Sequence, residues 1–271
     1  MGLIILIVAI LLSAYLFCIM PRITPRPMHE FKDRYYAHRG LHDNASDAPE
    51  NSLKAFRLAV EKGYGIELDV RLTKDEKVVV FHDNDLKRMC GAEADVNSKT
   101  YEELQELSLL ESGEKIPLFV DVLREVNGRV PLIVEIKMVD NSTRVCELTN
   151  EILKNYKGLY CMESFHPYAV KWYRMHRPDI CRGQLSSNFS QKGKPENLEQ
   201  KLVHYLLTNV MARPDFIAYS HKSAGNLSRN LCRLFGAVSF AWTIRSQEQL
   251  DKNRKKFDVF IFESFLPYKV K

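Results

Sequence analysis

The hydrophobic and polar positions divide the chain into two unequal parts. Met1 to Met20, MGLIILIVAILLSAYLFCIM, contains no charged residue and is apolar on every face. Such a pattern predicts a membrane-crossing helix, because about 20 helical residues span the hydrocarbon of a bilayer. A basic n-region is missing, and bulky Phe17 precedes Cys18, which argues against cleavage as a leader or a lipoprotein signal. Pro21, Pro25 and Pro27 follow, and residues 21–34 read as a stiff tether.

From Tyr35 onward, apolar runs alternate with stretches of helical spacing. Strands are predicted at 35–38, 66–72, 78–81, 132–136, 159–162, 180–184, 216–219, 238–243 and 259–262. Helices are predicted at 52–62, 101–107, 118–126, 143–155, 168–176, 198–210, 227–235 and 247–254. Repeated β-then-α order means a parallel sheet with right-handed crossovers. About eight such units within residues 35–271 favour a closed TIM (β/α)8 barrel over an open doubly wound sheet. The expected organisation is therefore a transmembrane anchor (1–20), a linker (21–34) and one α/β barrel (35–271). No GxGxxG or GxxxxGK[ST] loop, second domain or internal repeat is present. Residues 84–97, the widest irregular stretch, read as a surface loop or small insertion.

Composition narrows the partners. The chain has 271 residues, 45% hydrophobic and 27% charged, which excludes disordered and polytopic membrane classes. A net charge of +5, from 39 Lys+Arg against 34 Asp+Glu, and the lack of a basic stripe interleaved with aromatics argue against a nucleic-acid partner. Cys18, Cys90, Cys146, Cys161, Cys181 and Cys232 are scattered without CxxC spacing and read as free thiols. Arg22, Arg26, Lys32 and Arg34 follow the apolar segment, so the positive-inside rule places the body in the cytosol of a single-pass membrane protein.

Candidate chemistry gathers at strand ends, where TIM barrels carry their active sites. The first strand ends His38-Arg39-Gly40, the second contains Glu67-Leu68-Asp69, the apolar run at 78–81 ends His82-Asp83, and the strand at 132–136 carries Glu135 before Lys137. Residues i and i+2 of a strand share a face, so Glu67 pairs with Asp69 and Glu135 with Lys137. Three carboxylates in one space either hold raised pKa values or share a cation, and an all-oxygen set suits a hard dication such as Mg²⁺, Ca²⁺ or Mn²⁺. The plainer alternatives are exposed alternating charges or a buried Glu135–Lys137 ion pair. His38 and His82 are the candidate proton carriers. Arg39 and Lys137 can neutralise phosphate or position a carboxylate. Pro49-Glu50-Asn51-Ser52 reads as a loop and helix N-cap, with Glu50 a candidate group at the barrel mouth. Phe165 and Trp242 are candidate aromatic walls, with core packing the plain alternative. The Lys252, Arg254, Lys255, Lys256 run reads as a solvated helix end.

Taken in order, His38-Arg39-Gly40, Pro49-Glu50-Asn51-Ser52, Glu67-Leu68-Asp69, Thr73-Lys74-Asp75, His82-Asp83 and Glu135-Ile136-Lys137 resemble the glycerophosphodiester phosphodiesterase family. Ile116-Pro117-Leu118, Ser164-Phe165 and Trp242-Thr243 extend the resemblance through most of the body. It implies a divalent-metal-dependent hydrolase that releases glycerol 3-phosphate and an alcohol through a cyclic phosphate. Glu67, Asp69 and Glu135 match the family's metal ligands, His38 and His82 its acid–base pair, and Arg39 and Lys137 groups near the phosphate. Ser52 stands where the family usually has Thr, His166 follows Phe165 in place of Asp, and the last strand ends Phe262-Glu263-Ser264 where many relatives carry an Asp. An apolar anchor also fits a lysophospholipid or glycerol-phosphate polymer as substrate, or a non-catalytic membrane-anchored binding protein on the same barrel. A phosphoinositide-specific phospholipase would share the barrel and the cyclic-phosphate chemistry, but the Glu-x-Asp and Glu-x-Lys pairs favour the first family.

Overall fold

The computed structural model describes residues 1–24, 26–192 and 195–268; Pro25 of the expected tether and the last three residues lie outside them. In chain order the elements are α1 (Gly2–Ile19), β1 (Tyr35–His38), α2 (Leu53–Lys62), β2 (Gly65–Leu72), β3 (Val78–Val80), α3 (Lys87–Cys90), α4 (Tyr101–Gln105), α5 (Phe119–Val126) and β4 (Leu132–Ile136). They continue with α6 (Arg144–Leu153), β5 (Tyr160–Ser164), α7 (Pro167–His176), β6 (Arg182–Ser186), α8 (Leu198–His204), α9 (Asn209–Ala212), β7 (Phe216–Ser220), α10 (Leu227–Leu234), β8 (Val238–Ile244), α11 (Gln247–Asn253) and β9 (Val259–Phe262). Every strand but β3 lies parallel to its neighbours, and β1 pairs with both β9 and β2, so eight strands close into a TIM barrel.

The strand sequences carry both core layers. Outward side chains such as Leu68, Val70, Val134 and Met162 pack under the helices, while Tyr36, Ile133, Cys161, Phe216, Phe240 and Ile261 fill the barrel interior. Phe216 occupies its space because residue 183 is glycine: a Cβ there would sit 2.1 Å from the ring. Several helices start at a capping side chain, with Ser52 accepting from the Ala55 amide and Asn226 from the Arg229 amide.

Three expectations are corrected. The apolar run at 78–81 is no barrel strand. Thr73 and Lys77 close a tight turn, with the Thr73 amide donating to Lys77 O at 3.0 Å, and so short a connection permits only an antiparallel hairpin with β2. It resembled a barrel strand because it is fully buried, by α5 on one side and by residues 84–116 on the other; that insertion has a small core of its own around Phe81, Met89, Val96 and Leu104. The single helix expected over 198–210 is broken, since Leu206 adopts a left-handed conformation (φ 58°) that buries its side chain completely. The proline-rich stretch, expected as a stiff tether, is docked on the barrel. It runs beneath the barrel, where Arg22 and Arg26 bind Asp215 and the Pro178 carbonyl, and Met28 and Phe31 plug the interior.

α1 is the one helix among the described residues long and apolar enough to cross a membrane. Its N-terminal part is exposed, but its last turns dock on the barrel. Tyr15 Oη lies 2.9 Å from Ser228 Oγ, Asn209 Nδ2 and Cys232 Sγ donate to Ile19 O, and Arg213 Nη1 donates to Phe17 O and Met20 O.

Candidate active site

Parallel register assembles the polar cluster. His38 aligns with Glu67 across β1–β2, Asp69 with Glu135 across β2–β4, and Glu135 with Glu163 across β4–β5. Alternation turns Glu67, Asp69, Glu135 and Glu163 inward at the C-terminal end of the barrel, above the apolar filling. Ligand oxygens of Glu67, Asp69 and Glu135 come within 4.8 Å of one another, and all three residues are buried. Of the two plain alternatives, exposed alternating charges are overturned, since the carboxylates are buried; the Glu135–Lys137 ion pair does form, at 2.6 Å, but Nζ also lies 3.0 Å from Asp69, so the pair is one part of a larger acidic group.

Crowding shapes the electrostatics. Burial, reinforced by the charges of Asp69, Glu135 and Glu163, pushes the Glu67 carboxyl well above the usual carboxylate range. Burial likewise raises Glu163, with Glu135 adding to it. Burial acts on Asp69 as well, yet Lys137, His82, Arg39 and a 2.9 Å hydrogen bond from Asn51 Nδ2 hold it well below. Positive charge is therefore in deficit. Asn51 Oδ1 and Glu163 Oε2 are buried acceptors without a hydrogen-bond donor. A buried, all-oxygen, under-neutralised cluster fits a hard dication, and the acidic triad can hold one.

Each histidine has a carboxylate at Nδ1. His38 donates to Glu263, which in turn accepts from Arg245, while His38 Nε2 lies 3.9 Å from Glu67. Burial brings His38 down to about 4 despite the Glu263 bond; Glu263, though buried, is held at about 2 by His38 and Arg245. His82 Nδ1 lies 2.6 Å from Asp83, Arg88 Nε binds Asp83 at 2.6 Å, and Arg71 clamps the His82 carbonyl. A carboxylate at Nδ1 sets the tautomer and leaves Nε2 for a substrate.

The turn after β1 fixes Arg39. Arg39 and Gly40 are both left-handed (φ 55° and 83°), and a Cβ on residue 40 would lie 2.9 Å from Ala55 atoms, so glycine is required. Arg39 Nη1 binds Glu50 at 2.6 Å; its Nε is a buried donor without a hydrogen-bond acceptor, 3.5 Å from Asp69. Glu50 also accepts from Asn44 and, through both oxygens, from Arg88. With its oxygens so occupied, Glu50 braces the two arginines and presents no free group to the mouth. Phe165 and Trp242 meet edge to face at 5.6 Å, and Phe165 lines a cavity of about 470 Å³ that Glu135 and Lys137 also line. Reading along the chain missed Asn51 as a side-chain partner of Asp69, and Asp83, Arg88, Glu163 and Glu263 as members of the site. Glu163 had a usable signal, an acidic residue inside an apolar strand, as at Glu67 and Glu135. Glu263 had none beyond its departure from related sequences.

Residues 38–259 match the sequence profile of the glycerophosphoryl diester phosphodiesterase family. The chain is 27% identical over 234 residues to a glycerophosphodiester phosphodiesterase of Caldanaerobacter subterraneus, covering 80% of this chain and 87% of that one. Among solved structures it resembles the glycerophosphodiester phosphodiesterase of Thermotoga maritima (TM-score 0.65, 29% identity, 84% of this chain and 93% of that one). It shares its fold with an Oleispira antarctica phosphodiesterase solved with the product sn-glycerol 3-phosphate (TM-score 0.71, 22% identity, 86% and 94% covered).

Proposed function

The chain belongs to the glycerophosphoryl diester phosphodiesterase family and is an enzyme of that activity, and from that premise we propose how its own residues carry the reaction. The observation that bears most weight is the convergence of Glu67, Asp69 and Glu135 beside two histidines that each have a carboxylate behind them. Glu67, Asp69 and Glu135 would hold one dication, Mg²⁺, Ca²⁺ or Mn²⁺. When bound, such an ion polarises a phosphoryl oxygen and makes a nearby hydroxyl more acidic.

A glycerol hydroxyl next to the ester attacks phosphorus within the substrate, which removes much of the entropic barrier of bringing in water. His38 and His82 divide the proton work: one accepts the hydroxyl proton and the other donates to the departing alcohol. Water then opens the cyclic phosphate, leaving glycerol 3-phosphate, as in the product bound by the Oleispira antarctica relative. Arg39 and Lys137 neutralise phosphate charge, and Glu50, with Arg88, positions Arg39. Phe165 and Trp242 form a wall of the alcohol side. Glu263 and Asp83 act through the histidines and are positioning residues.

Released glycerol 3-phosphate measured on glycerophosphocholine and glycerophosphoethanolamine, with and without chelator, tests the reading. Turnover should require a dication and should fall at least a hundredfold in His38→Ala and His82→Ala. Chelator-resistant activity, or activity unchanged in both variants, refutes it. We take residues 1–20 as the anchor, and the basic charge that flanks them favours a cytosolic body. Protease accessibility in intact cells checks that side.

A further inference from the structure

The docking of α1 has a direction. Tyr15 meets Ser228 in the first turn of α10, and Ile19 meets Cys232 one turn later, so the two helices run side by side in the same sense. α10 descends from the C-terminal end of β7 to the N-terminal end of β8. The C-terminal end of α1 therefore lies at the bottom of the barrel, where Arg213 caps it and the chain continues with the Arg22 amide donating to Pro214 O. Its N-terminal arm points the other way. Residues Gly2–Ala14 are exposed and continue the helix for about 20 Å beyond its contact with the first turn of α10, towards the side that carries the acidic triad and the histidines.

That arm is too short to hold the body at a distance. At 1.5 Å per residue the whole helix is about 27 Å long, against about 30 Å of bilayer hydrocarbon, and its last turns are already committed to the barrel flank. Burying the arm draws the barrel rim into the headgroup layer. The rim suits this. Val139, Tyr168, Leu198 and Leu227, from four different loops or first helical turns at that end, are exposed apolar residues. Beside Glu135 and Lys137, the cavity of about 470 Å³ is walled by Met138, Phe165, Tyr168, Phe189, Leu202 and Met211.

We propose that the docked α1 presses the catalytic mouth against a lipid bilayer, so that the enzyme takes glycerophosphodiesters seated in the membrane, with an apolar chain entering the Met138–Phe165–Leu202 cavity. The name of that end rests on the active-site reading above; the orientation does not.

The test uses the full chain in phosphatidylcholine vesicles with and without brominated acyl chains, which quench tryptophan at the lipid. Leu198→Trp, on the proposed lipid side, should lose at least half of its added emission to brominated lipid. Met175→Trp, exposed at the opposite end of α7, should lose none. Quenching of Met175→Trp instead, quenching of neither, or recovery of a chain that lacks residues 1–20 overturns the proposal. Loosening the clamp with Tyr15→Phe and Arg213→Ala together should slow hydrolysis of vesicle-borne lysophosphatidylcholine at least tenfold and leave soluble glycerophosphocholine within twofold. A parallel fall on both substrates overturns it, because the clamp would then only stabilise the barrel. Quenching as expected with no turnover of either substrate would sink the catalytic reading and leave the orientation standing.

Discussion

Glu263 offers the sharpest test of the catalytic geometry, because its expected effect runs entirely through His38. Its carboxylate accepts from His38 Nδ1 and is itself held by Arg245. Glu263→Gln keeps the shape and a hydrogen-bond acceptor but removes the charge. A hydrogen bond to a charged group is worth about 1.5–3 kcal/mol and a neutral one about 0.5–1.5. The difference, about 1–1.5 kcal/mol in positioning and charging the imidazole, corresponds to a roughly five- to fifteenfold fall in kcat. Glu263→Ala removes the orienting partner altogether and should cost about a hundredfold. KM for glycerophosphocholine should change little in either variant, since both Glu263 oxygens are engaged by His38 and Arg245. The deciding measurement is a double-mutant cycle on kcat at saturating cation. In a His38→Ala background, Glu263→Gln should have almost no further effect, because the group it serves is gone. Full additivity of the two losses would refute the reasoning, as would a fall of less than twofold in both Glu263 variants.

Three other outcomes follow from the same structure. A dication at a hundredfold its Kd should add about 2.7 kcal/mol of stability, seen as a rise of about 5–8 °C in Tm; Glu67→Gln should abolish most of that rise, and an unshifted parent chain would count against the metal site. Burial works against the Glu50 carboxylate, but Arg88 and Arg39 outweigh it and hold Glu50 at about 2, below the unfolded value of 4.5. Its contribution, on the order of 3 kcal/mol, is therefore complete above that unfolded value and is lost as pH falls through 4.5 towards 2. Denaturant titrations across that range should show Arg88→Ala flattening the acid loss, and an unchanged slope would argue against the network. Gly183→Ala pushes a Cβ to 2.1 Å from Phe216 and should cost about 2–3 kcal/mol in urea unfolding; a neutral result would mean that the barrel interior has room the structure does not show.

The order of elements was legible along the chain because each βα unit carries its own signal. Alternating or continuous apolar runs mark β2, β4 and β7, and Ser52 and Asn226 mark helix starts. The triad was legible for the same local reason: Glu67 and Asp69 share a face by strand alternation, and a charged residue inside an apolar strand demands an explanation wherever that strand lies. What the chain order could not determine is everything that depends on which segments meet. Glu263 stands 225 positions from His38, and only closure of β9 onto β1 brings them together. Val78–Val80 reads as a barrel strand because burial is all that its composition reports; the five-residue turn before it, not its hydrophobicity, makes it a hairpin. Residues 21–34 have the prolines of a spacer, yet Met28 and Phe31 find the open bottom of the barrel and fill it. Composition marks α1 as apolar enough for a bilayer, but its direction relative to the active site depends on Tyr15, Ile19 and Arg213 locking it along α10. Local pattern determines which side chains share a face, because the backbone repeat is local. Pairings across the closed sheet are long-range, and only the packed tertiary structure selects them.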